Sequence, residues 1–178
     1  MRPYEPLGWV RRHTGLIAEF RTHHHRSPDG RWVGRDRLHL PPSVVVLPVV
    51  DEDVLLVEQW RDAAGKALLE VPAGRIEQGE DPATAAAREC EEEVGWSPSS
   101  LAHLGRWFAS PGISTEVMEG FVATGLTEVA RRPDGIEEEV STIVRLPADE
   151  AIAAARSGEL EDLKTVAVLL AFEGHRRA

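Results

Sequence analysis

Several things are scarce or missing in this sequence, and each excludes a class of protein. There is one cysteine, Cys90, so no internal disulfide can form, and a reducing, cytoplasmic setting suits the chain. The longest apolar stretches, around Ser43 to Val50 and Val166 to Phe172, are far too short to cross a bilayer, so no membrane partner is expected. The opening MRPYEPLGWV has no apolar run after its charge, so no secretory signal is expected either. A basic excess is also missing. The formal net charge is −10, which argues against nucleic acid as a partner, because such binders release phosphate counterions with basic patches. No internal repeat, low-complexity tract or long linker is present in the 178 residues, a length that fits one domain or one domain plus a small appended element. An acidic site repels an anionic substrate unless a divalent cation inverts the local charge.

What is present reads first as β structure broken by turns, from Gly15 to Val57. Ser27-Pro28-Asp29-Gly30 is a turn between strands near 17–25 and 31–39. Val44 to Val50 is a continuous apolar run typical of a buried strand, followed by strands over Val54 to Trp60 and Leu68 to Val71. A helix is predicted over Pro82 to Val94, with Asp81 as N-cap, Pro82 at the first helical position and Gly95 just past the end. Strands near 102–109, 116–124 and 139–146 and helices over Ala148 to Ser157 and Leu160 to His175 complete the pattern. It suggests α+β, a mixed sheet flanked by helices.

On the first helix Glu89, Glu92 and Glu93 lie at i, i+3 and i+4, so their carboxylates share one face. Like charges at that spacing repel and cost an isolated helix a few tenths of a kcal/mol per pair. Clustered hard oxygens suit Mg²⁺ or Mn²⁺; the plain alternative is a solvated acidic face. The surrounding text decides against that alternative. From Gly74 the chain reads GRIEQGEDPATAAARECEEEVGW, with Gly74, Glu80, Arg88, Glu89, Glu92, Glu93 and Gly95 at fixed positions and Cys90 and Trp96 at apolar ones. A chance match is on the order of 10⁻⁸ per window. This segment resembles, without a gap, the signature of the Nudix hydrolases.

The resemblance implies a Nudix-fold α/β/α sandwich around a mixed sheet over 41–178, with an N-terminal β extension over 1–40 that exchanges across a homodimer. It implies metal ligation by Glu89, Glu93 and the Ala73 carbonyl, with Glu92 helping through water or a further ion and two or three Mg²⁺ (or Mn²⁺) per site. Gly74 turns the loop against the helix, and Glu80 with Arg88 forms an orienting pair. Three further segments resemble the ADP-ribose pyrophosphatase branch: Glu58-Gln59-Trp60-Arg61, Glu70-Val71-Pro72-Ala73-Gly74, and the loop from Ser110 to Glu116. By that likeness Arg61 contacts substrate phosphate, Pro111 and Glu116 belong to a substrate loop, and Gly135-Ile136-Glu137-Glu138-Glu139 supplies the general base. Glu138 is favoured, then Glu139, with Glu137 open. Arg35 in Arg35-Asp36-Arg37 aligns weakly with substrate contacts, and a solvated strand edge competes with that reading. Trp60 reads as core before nucleobase stacker, Cys90 as an apolar filler, and His23-His24-His25 as surface, with His24 pointing away from its neighbours. The expected reaction is ADP-ribose plus water giving AMP and ribose 5-phosphate. Nucleotide sugars, dinucleoside polyphosphates and a non-catalytic ADP-ribose sensor are the alternatives.

Overall fold

The computed structural model describes residues 4–177, apart from the side chains of Ile136 and Glu137. Glu137 as a base candidate thus lies outside the described residues. The chain divides into two compact units, one holding residues up to Pro42 with Phe108–Val117, the other Ser43–Trp107 with the residues from Met118 on.

The first unit is an antiparallel sheet of β1 (Glu5–Thr14), β2 (Glu19–Arg26) and β3 (Trp32–His39), with β2 in the middle. The 27–30 turn forms as the residue types dictate: Gly30 takes a left-handed φ of 87° and its N–H bonds Ser27 O at 2.8 Å. Strand β1 was not anticipated, and it is exposed along its whole length. Its register shifts between Pro6 and Gly8 and again between Arg11 and His13, which erases the alternation that would have marked it. The loop Phe108–Val117 ties to β3 through Leu38 N–H to Ile113 O and Thr115 N–H to Leu38 O. Alternation along β2 holds at the histidines: His23 stacks on His39, while His24 stacks on Trp32. The run is half-buried rather than surface, because β2 is the central strand.

The second unit is a mixed sheet of seven strands: β4 (Ser43–Val50), β5 (Asp53–Arg61), β6 (Lys66–Glu70), β7 (Ala73–Arg75), β8 (Trp96–Phe108), β9 (Val117–Glu128) and β10 (Thr142–Pro147). The main order is β10-β5-β4-β9-β8, with β6 on β5 and β7 on β4. Strands β4 and β9 run parallel, Val45 opposite Gly120, while β5 pairs antiparallel with β10, β4 and β6, and β7 antiparallel with β4. Helices α1 (Pro82–Glu89), α2 (Ile136–Glu139), α3 (Ala148–Ser157) and α4 (Leu163–Arg176) complete it. Val44 and Val46 of β4 pack with Ala85, Ala86, Cys90 and Val94, so one sheet face lies under α1. Strand alternation sends Val45 and Leu47 to the other face, and α4, which buries Val168, Leu169 and Phe172, also packs on β4. That gives helices on both faces of a mixed sheet. No described helix is long and apolar enough to cross a membrane.

The predicted continuous helix over 82–94 is α-helical only to Glu89 and then widens into a π turn over Cys90–Val94. Trp60 is not core: it is 57% exposed, because alternation along β5 buries Val57 and Gln59 and turns Glu58 and Trp60 outward.

Candidate active site

The acidic cluster rests on a strand–loop–helix passage. Strand β7 pairs with β4, and Val46 N–H donates to Pro72 O at 2.9 Å, which fixes the chain entering Ala73 and Gly74. Asp81 caps α1 by accepting from Ala83 N–H at 3.0 Å and Thr84 N–H at 3.3 Å, with Pro82 in the first turn. Gly95 closes the π turn in a left-handed conformation, φ 73°. π turns inside helices are frequent at functional sites, and this one carries Glu92 and Glu93.

Gly74 is held to glycine by packing. A Cβ built on it would overlap the Glu89 carboxylate, so only the bare backbone lets Glu89 lie against the loop. Arg88 organises the polar side. Its Nε donates to Glu80 Oε1 at 3.0 Å, its Nη2 to Arg75 O at 3.0 Å, and its Nη1 to Glu89 Oε1 at 2.7 Å and Glu92 Oε2 at 2.9 Å. Glu80 in turn accepts Glu77 N–H at 2.9 Å, and the Arg88 contact holds its carboxyl below the usual range. Glu80 and Arg88 are thus hydrogen-bonded to each other, and Arg88 also holds Glu89 and Glu92.

Glu93 sits deeper. It is 3% exposed; Oε1 accepts Ala73 N–H at 3.1 Å, and Oε2 is buried with no hydrogen-bond partner. Burial pushes its carboxyl up to about 8, the Ala73 N–H opposes this, and the charges of Glu89 and Glu138 push it further. Burial likewise pushes Glu89 up to about 7, against the pull of Arg88. Among the described residues no three acidic, His or Cys side chains converge as a finished metal cage, since Glu89 and Glu92 are turned to Arg88 and Glu93 to Ala73. The donor set still fits a hard divalent cation. It offers buried carboxylate oxygens, one of them orphaned, whose charge burial disfavours until a cation compensates it. Cys90, fully buried, has its thiol pushed by burial up to about 12, which makes it the expected filler and not a nucleophile.

The other predicted residues separate into two groups. Arg61, at the end of β5, stands within electrostatic reach of Glu93 and forks onto Glu70. Glu138, on α2, also acts on Glu89 and Glu93 by charge, while its Oε2 accepts Asp134 N–H at 2.7 Å. Glu139, the next residue on α2, is exposed. The second group lies in the first unit. Arg35 and Pro111 line one cleft there with Arg37 and Phe108, and Arg35 is exposed on β3, its Nη1 on Gly34 O. Glu116 is half-buried, its N–H bonded to Ser114 Oγ at 3.0 Å, and does not line that cleft.

Sequence reasoning missed the surroundings of Arg61. Glu70 is 1% exposed and accepts Arg61 Nε at 2.6 Å and Nη2 at 2.7 Å, with Lys164 Nζ 3.3 Å from Oε2. Glu70 was visible only as the first letter of a lead-in motif. Lys164 carries no mark in the sequence beyond its place near the start of the last helix.

A methanol dehydrogenase activator of Bacillus methanolicus is 31% identical over 86% of this chain and 83% of its own length. An ADP-ribose pyrophosphatase of Mycobacterium tuberculosis is 34% identical over 94% of this chain and 82% of its own length. A solved structure described as an ADP compounds hydrolase superposes with a TM-score of 0.89 over 99% of this chain and 96% of its own, at 20% identity, and so shares the fold. The NUDIX domain model matches residues 39–169, a stretch that takes in the Gly74 loop, the capped helix and the buried carboxylates. With that much of the chain matched, and the signature residues folded against one another as described, this protein belongs to the NUDIX family.

Proposed function

We propose that the chain hydrolyses the pyrophosphate bond of ADP-ribose, giving AMP and ribose 5-phosphate, with Mg²⁺ (or Mn²⁺) as cofactor. The observation that carries the reading is Glu93: a buried carboxylate with an orphaned oxygen, beside Glu89 and within the field of Arg61 and Glu138. Relatives named ADP-ribose pyrophosphatase, 29% and 34% identical over 85% and 94% of this chain, support the substrate.

In this reading Glu89, Glu93 and the Ala73 carbonyl would hold two or three ions, with Glu92 assisting. Bound magnesium would polarise phosphoryl oxygens and offset charge on the leaving phosphate. Arg88, fixed by Glu80, keeps Glu89 and Glu92 aimed; Gly74 leaves room for Glu89. Arg61 binds a phosphate through its guanidinium. The Glu138 carboxylate accepts a proton from the attacking water as its oxygen bonds to phosphorus, and the bridging P–O bond breaks with its electrons going to the departing phosphate. Arg35, Pro111 and Glu116 contribute substrate contacts, with Glu139 the reserve for the base. The first unit, whose exposed β1 carries Leu7, Trp9 and Val10, pairs two copies as a homodimer. The buried lone cysteine suits a cytoplasmic enzyme.

The test is incubation with ADP-ribose and Mg²⁺ followed by chromatography. AMP and ribose 5-phosphate in equal amounts are expected. Binding without AMP would identify a sensor. A panel of ADP-glucose, GDP-mannose and diadenosine polyphosphates ranks the substrates; faster turnover of any of these than of ADP-ribose overturns the proposed specificity.

A further inference from the structure

A second charged cluster lies behind Arg61, and the proposed mechanism uses none of it. Glu70, at the end of β6, is buried as completely as the apolar core, yet it keeps a carboxylate there. Both of its oxygens are engaged: Oε1 by Arg61 Nε, and Oε2 by Arg61 Nη2 and Lys164 Nζ. Lys164 Nζ also lies 3.1 Å from Asp162 Oδ1. Asp162 is the N-cap of α4, accepting Thr165 N–H at 2.9 Å and the Thr165 hydroxyl at 2.8 Å. Thr165 Oγ1 accepts the N–H of Val71, the residue after Glu70, at 2.8 Å. The first turn of α4 therefore holds both the side chain of Glu70 and the backbone beside it.

Burying a carboxylate with two cations is expensive, and apolar residues would pack the same space at less cost. What such a cluster supplies is direction. A lone arginine samples many rotamers, whereas a two-point fork on a rigid carboxylate fixes the plane and heading of its guanidinium. A carboxylate neutralised by Arg61 alone would also weaken that arginine's pull on an anion; Lys164 shares the burden. Arg61 so held stands where its charge is felt by Glu93.

We propose that Glu70 and Lys164 are positioning residues: Glu70 orients Arg61 toward the substrate diphosphate, and Lys164 anchors Glu70 to the start of α4. This rests on the reading that Arg61 contacts substrate phosphate, and the experiment separates the two claims. The KM and kcat of ADP-ribose hydrolysis are measured for Arg61→Ala, Lys164→Met, Lys164→Arg, Glu70→Gln and the double variant Arg61→Ala/Lys164→Met, with thermal unfolding as the check on folding.

Arg61→Ala raises KM by at least about tenfold if it holds phosphate. Lys164→Met raises KM by about fivefold with kcat changed less than about twofold, the mark of lost binding and not lost chemistry. Lys164→Arg restores most of that loss. In the Arg61→Ala background Lys164→Met adds nothing, because its effect runs through the missing guanidinium. Glu70→Gln follows Lys164→Met in direction where it folds; where it does not, the lysine series carries the test. An unchanged KM in Lys164→Met, or the same rise with and without Arg61, overturns the positioning role. An unchanged KM in Arg61→Ala overturns the phosphate contact itself.

Discussion

Glu93 shows how much one side chain carries in this protein. Burial in the folded chain pushes its carboxyl up to about 8 from an ordinary value near 4.5. Between those values the folded chain keeps a proton that the unfolded chain releases, so rising pH favours unfolding. Glu89, raised to about 7, adds to the trend. The metal-free protein should therefore lose thermal stability as pH rises from 5 to 8, and Mg²⁺ should restore it most at the alkaline end. Glu93→Gln keeps the shape without the charge. It should weaken the pH dependence of the melting temperature in EDTA to the part that Glu89 carries, abolish most of the Mg²⁺-dependent gain and cut turnover by orders of magnitude. A variant that keeps the wild-type Mg²⁺ shift would remove Glu93 from the ligand set. Gly74→Ala tests the other side of the same contact. Its Cβ falls on the Glu89 carboxylate, which must swing away, and a loss of at least about tenfold in Mg²⁺ affinity is expected by titration. At this scale the signature from Gly74 to Trp96 was legible because its residues sit within about two dozen positions, each with a fixed spacing. Glu70 and Lys164 were not, because nothing in the text joins residues 94 positions apart, and only the fold brings Lys164 Nζ to Glu70.

The elements that were read well are those whose ends carry their own chemistry. Helix α1 begins at Pro82 because Asp81 caps it, and α3 stops at Ser157 because Gly158 takes φ 80°. Those signals are local, so sequence suffices. The π turn had no such mark: Cys90 to Val94 would suit an ordinary helix as well, and the acidic letters say nothing about one extra residue per turn. Strand β1 escaped notice because Pro6, Gly8 and two register shifts break its period. The helix predicted from Leu160 starts three residues later, at Leu163, because the side chain that caps it is Asp162. That cap gives a prediction at the same scale. Thr165→Val keeps the volume but leaves Val71 N–H buried without its acceptor and frees Asp162 Oδ2 of one donor. A loss of about 1–3 kcal/mol is expected in urea denaturation, read from the midpoint with an unchanged slope. A loss below about 0.5 kcal/mol would show that water replaces the hydroxyl there.

The whole molecule poses a question that neither the signature nor the second unit answers, namely why so much apolar surface is left on the first. Leu7, Trp9 and Val10 on β1 are each more than two-fifths exposed, Leu16 and Ile17 after it more so, and the strand has no covered face among the described residues. Isolated apolar side chains at a surface need no explanation, but a run of them along one strand is a surface that a second chain can cover. Linear order conceals this: Phe108–Val117 belongs with β1 to β3 although it is separated from them by most of the catalytic sequence. If a second copy covers β1, light scattering at micromolar concentration gives twice the chain mass of 19.6 kDa. Placing charge on that strand with Leu7→Lys and Val10→Lys together should then shift the mass to that of the monomer, since each buried lysine forfeits about 1.5–3 kcal/mol of apolar burial and adds a desolvated charge. The ADP-ribose KM of the dissociated form decides what the pairing does. A rise in KM with no change in Mg²⁺ affinity would mean that the pairing shapes substrate binding and leaves the carboxylate cluster of α1 and its π turn intact. An unchanged mass in the wild type, at one chain, would leave β1 to cover some other partner.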